Sequence, residues 1–136
     1  MNDTDKRDTF ERFAAARRSL AALTDFIASG DWGRDEPWGG AGVIVADSTT
    51  EVGGNGWSDP LVAVTEHVAE LSWAFERARD AVAHLDGFGL WKEEFFGRMA
   101  EAVIAAGPDA SVRTHLGVAV WAADLTLGHI MDRAIR

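Results

Sequence analysis

Four histidines, His67, His84, His115 and His129, are the side chains of this sequence best suited to acid–base work or metal ligation near neutral pH. Glu66, His67 and Glu70 lie within about a turn of one another if the segment is helical, like a fragment of the ligand set of a carboxylate-bridged di-iron bundle. Such a centre takes inward-pointing ligands from all four helices, including two Glu-x-x-His motifs, and the chain contains no Glu-x-x-His. On the helical repeat of their own segment, Glu66 and Glu70 fall opposite the apolar seam, and His67 only flanks it. On the last segment, His115 falls at the edge of the core and His129 well outside it. The set does not converge, so the expectation is no metal and no cofactor.

Nucleophilic chemistry has no better footing. Cysteine is absent, which removes thiolate nucleophiles, thiolate metal sites and disulfides. None of Ser19, Ser29, Ser48, Ser58, Ser72 and Ser111 sits in a Gly-x-Ser-x-Gly elbow. The glycine runs 39–42 and 53–56 lack the Lys and the spacing of a phosphate-binding loop. Their neighbours Asp31, Asp35, Glu36, Asp47 and Glu51 would repel an anion. Those carboxylates follow no EF-hand spacing either. No residue is expected to be catalytic.

The elements that carry these residues read as four helices. The first spans Asp5 to Ser29, with Phe13, Ala16, Leu20, Leu23 and Ile27 on one stripe and Gly30 as its stop. The second is expected to run unbroken from an Asp59-Pro60 start to Leu85, because Leu61, Val64, Val68, Leu71, Phe75, Ala78, Val82 and Leu85 alternate by threes and fours. A third, Leu90 to Ala106, puts Trp91, Phe95, Met99, Ala102 and Ala106 on its apolar face, and Glu93 and Glu94 in its first turn. The Gly107-Pro108 pair ends it. The fourth runs from Asp109 nearly to the C-terminus, with Val112, Leu116, Ala119, Ala123, Leu127, Ile130 and Ala134 inward. Close packing would explain Gly117 and Gly128 within it. Short connections after the second and third helices make an all-α four-helix bundle the expected fold, one domain over residues 1–136.

Between the first two helices lies a Gly/Trp-rich connection, residues 30–58, holding eight of the 14 glycines and three of the six tryptophans. Connections of this length are usually functional or disordered, and three large rings argue for order. Either it is a crossover that lets helices one and two run parallel, with its rings plugging the bundle end, or Trp32, Trp38 and Trp57 form a binding arm.

Overall composition narrows the classes further. With 22 acidic against 13 basic residues the chain carries a net charge of -9, which disfavours direct nucleic-acid binding. No apolar run is long enough for a membrane span, and the N-terminus lacks a secretion signal. The expected location is the cytoplasm. Eleven of the 13 basic residues are Arg, a bias that fits a GC-rich bacterial or phage genome.

Two features point to a partner. Val118, Trp121 and Leu125 form a second apolar stripe on the last helix, away from its core face, and Trp73 occupies the position of the second helix expected to be most exposed. Either the connection 30–58 folds back over both, or they are a self-association or partner surface. The sequence therefore points to a small acidic helical protein acting by protein–protein interaction: an inhibitor, an antitoxin- or immunity-like neutraliser, or an adaptor. Its partner is a protein, basic for preference given the charge, or a second copy of the chain. The alternative is a small helical enzyme or ligand-binding protein with a pocket beneath residues 30–58.

Overall fold

The computed structural model describes residues 2–29 and 58–136, the second stretch with side chains from residue 61 onward. Five helices account for nearly all of them, and no strand occurs among the described residues. They are α1 (Asp3–Ser29), α2 (Ser58–Val64), α3 (Val68–Val82), α4 (Phe88–Ala106) and α5 (Val112–Ile135). The connection 30–57, with Trp32, Trp38 and Trp57, lies outside the described residues.

The stripe on α1 packs as its spacing requires: Phe13, Ala16, Leu20 and Ile27 are buried, and Leu23 is half-buried. The helix starts earlier than expected because Asn2 Oδ1 accepts the Asp5 backbone N–H at 2.8 Å, satisfying a donor of the first turn.

The long second helix does not form. It breaks into α2 and α3 at Thr65–His67, although the apolar period runs straight through. Thr65 competes with the helix for backbone partners: its Oγ1 accepts the His67 N–H at 2.9 Å, closing a local turn that the helical ladder would forbid. Away from the break the hydrophobic period holds, since Leu61, Leu71, Phe75, Ala78, Val82 and Leu85 are buried, whereas Val64 and Val68 beside it are only half-buried. α3 itself stops at Val82, three residues before the expected end.

Two tight turns depend on glycine. Gly87, with φ of 82°, leads into α4, and Gly107, with φ of 86°, ends it; both are left-handed positions that L side chains resist. α4 begins at Phe88, so Glu93 and Glu94 fall in its second turn rather than its first. Glu94 takes a different partner there, receiving both Arg133 terminal nitrogens of α5 at 2.9 and 3.3 Å. α5 starts at Val112, not Asp109, because Ser111 Oγ accepts the Thr114 N–H at 3.1 Å.

Cross-helix contacts fix the directions. Phe26 meets Trp73 at one end of α1, and Arg12 bonds Asp86 at the other, so α1 and α3 run antiparallel, not parallel as a crossover would have them. α1 is antiparallel to α5 as well, since Arg12 and Phe13 lie by Ala134 while Arg17, further along α1, pairs with Asp124, further back on α5. α5 packs on α1, α3 and α4, and its buried set reaches from His115 to Met131 over much of its circumference. A helix apolar nearly all round is central to its fold, and α5 is that helix. One hydrophobic cluster links all five helices, with Phe75, Phe95, Leu116 and Leu127 wholly enclosed.

The glycines of α5 divide. A Cβ at Gly128 would stand 3.3 Å from the Arg17 guanidinium, so close approach of α1 explains it; a Cβ at Gly117 meets nothing within 4 Å among the described residues. Gly117→Ala is therefore expected to raise the unfolding free energy by about 0.5–1 kcal/mol, the helix-propensity difference alone. Gly128→Ala should gain less, because Arg17 must shift. Urea titration of the two variants checks the contrast.

Candidate functional site

The predicted partner residues separate once the helices are in place. Trp121 is 61% exposed and Leu125 46%, and they stand a turn apart on the side of α5 opposite its buried face. Val118, the third member of the stripe, is half-buried and packs against the core. Trp73 is corrected. It is only 9% exposed, with its ring 5.9 Å from that of Phe26, and belongs to the core. The helical wheel of one segment could not register that α1 brings an aromatic ring to that side of α3. Other exposed apolar residues, such as Val62 on α2 and Leu90 at the start of α4, lie on other helices and are unremarkable singly.

Ion pairs flank the outer face of α5 on both sides. Toward α1, Arg17 Nε and Nη2 grip the Asp124 carboxylate at 2.9 and 3.2 Å. That hydrogen bonding raises the Arg17 pKa above its ordinary value, with the charges of Asp124 and Asp132 assisting against partial burial, so the group stays cationic at any working pH. Toward α4 stand Arg133–Glu94 and Arg98–Glu101. The rim is thus charged but internally paired.

Comparison with protein-family models, with curated proteins and with solved structures finds no match.

The histidines separate too. His84 and His129 are exposed on the surface, whereas His115, expected at the edge of the core, is fully enclosed at 0% exposure. Its Nε2 lies 2.7 Å from the Gly107 carbonyl oxygen, which can only accept, so Nε2 carries the proton. In the neutral ring Nδ1 then accepts from the Thr65 hydroxyl at 3.3 Å, and the His67 ring packs 5.4 Å away. Nearby on α3, Glu70 Oε2 is buried with no hydrogen-bond partner among the described residues. No group of three potential metal ligands occurs among those residues. The node joins the break between α2 and α3, the turn before α5, and α5 itself. Residue type alone gave no sign of it, because the break that brings Thr65 over His115 is invisible to the apolar period.

Thr65→Val keeps the shape and removes the hydroxyl, leaving the His67 N–H and the buried His115 Nδ1 unpaired. The expected cost is about 1–3 kcal/mol, read by urea unfolding; unchanged stability would deny the node any structural weight.

Proposed function

We propose that this protein acts by binding another protein chain, and that the outer face of α5 is where it does so. The supporting observation is the exposure of Trp121 and Leu125 on adjacent turns of the most deeply packed helix. Tryptophan on a helix face is a frequent energetic centre of interfaces, and covering each of these side chains is worth about 1.5–3 kcal/mol. In this reading the architecture is a four-helix bundle in which α2 and α3 together fill the second position, and the biological role is that of a cytoplasmic inhibitor, an antitoxin- or immunity-like neutraliser, or an adaptor.

The rim bears on the chemistry of the partner. Around the two apolar residues, Arg17, Arg18, Arg98 and Arg133 stand against Asp124, Asp132, Glu94 and Glu101, four charges of each sign. Among the described residues this face carries no acidic excess, so it offers no electrostatic reward to a basic partner. It fits an apolar patch ringed by mixed charge.

A second reading, a ligand-binding protein or small enzyme, has one observation in its favour. An open groove of about 390 Å3 is lined by Thr65, Glu66, His67 and Pro108, beside the hydroxyl–imidazole contact of Thr65 with His115. The hydroxyl is already committed to the His67 N–H, which favours a structural role.

The test of the docking reading is folding. Trp121→Glu and Leu125→Glu should keep the far-UV circular dichroism and the melting temperature of the dilute native protein. Loss of either would make this face part of the core.

A further inference from the structure

An apolar knob and an apolar groove lie on the same side of the molecule, displaced along one helix, and neither fills the other. The groove runs between α1 and α5, an open space of about 400 Å3 lined by Phe10, Ala14, Ala21 and Met131 together with Arg17, Arg18 and Asp124. Phe10 forms its edge and is 51% exposed. The knob is Trp121, ten residues before Met131 and therefore about 15 Å from it along the axis of α5.

Resting on the reading of this face as a docking surface, we propose that the occupant is a second copy of the chain, packed with α5 antiparallel to α5 so that each Trp121 seats in the groove of the other copy. A two-fold axis crossing α5 midway between residues 121 and 131 carries each knob onto the opposite groove. Both are satisfied by one operation, as in isologous dimers generally. The same axis passes close to Leu125, so the other exposed apolar residue of the stripe is covered by its own symmetry mate. Charge permits the contact. Each copy carries -9, yet the described groups around this face are balanced, Arg17 and Arg18 against Asp124 and Asp132. A contact there sets no excess of like charge among the described residues against its mate.

The experiment is sedimentation equilibrium on the wild type, Trp121→Glu, Phe10→Lys and an equimolar mixture of the two variants, with circular dichroism on each. The wild type should have twice the 14.7 kDa chain mass, and each variant alone should have the chain mass while remaining folded. The mixture should recover dimers, because a mixed pair keeps one native Trp121 seat and sets the introduced carboxylate against the introduced ammonium in the other. Two-fold mass in the wild type without recovery in the mixture overturns the seating of Trp121, and a ladder of larger species overturns the closed two-fold. A monomeric wild type with a folded Trp121→Glu overturns the second copy and leaves the docking face to a different protein. An unfolded Trp121→Glu overturns the docking reading itself.

Discussion

Phe75→Ala is expected to lower the unfolding free energy by about 3–5 kcal/mol, a large part of the stability of a domain this size. Phe75 is wholly enclosed in α3 and stacks on Phe96 of α4, ring centroids 6.1 Å apart and planes inclined by 13°. Phe96 in turn meets Phe88 and Phe95 edge-on, and Phe95 meets Trp91, so the phenyl ring is one face of an aromatic cluster spanning two helices. Truncation removes apolar area and leaves a cavity that rigid rings collapse into poorly. Urea unfolding followed by circular dichroism measures it. A loss below about 1 kcal/mol, the ordinary effect of a point mutation, would mean that α3 does not hold the core.

The second large effect separates two tryptophans. Trp73→Glu should cost about 3–5 kcal/mol through lost ring burial alone, and more through forcing a carboxylate against Phe26 and the core. Trp121→Glu should stay within about 0.5 kcal/mol of the wild type at concentrations where the protein is monomeric, as exposed substitutions do. Thermal melts of the two variants side by side make the comparison. Equal losses would erase the distinction between core and outer face drawn from their exposures.

How far the sequence reaches can be seen residue by residue. The inward stripes of α1 and α5 were legible because Leu20, Ile27, Leu116, Ala123 and Leu127 repeat at helical spacing, and a stripe must be buried wherever its helix goes. Gly87 and Gly107 marked true turns for a backbone reason, their positive φ. The break at Thr65 was illegible, since one side-chain oxygen outcompeted a regular apolar period. Trp73 was misplaced because a heptad describes one neighbour and α3 has several. Among the site residues, Trp121 and Leu125 were legible as apolar residues off the core stripe, whereas Val118 lies close enough to the core to be partly absorbed by it. Enclosure of His115 required the fold, because its partners Thr65 and Gly107 come from two other parts of the chain.

Sedimentation velocity of the unmodified protein over a concentration series tests the pairing of two copies through α5 most directly. Joining of two copies through Trp121 and Leu125 predicts a boundary that moves from monomer to dimer as concentration rises through the micromolar range, with no species beyond the dimer. A single boundary at the 14.7 kDa chain mass throughout the series would contradict it.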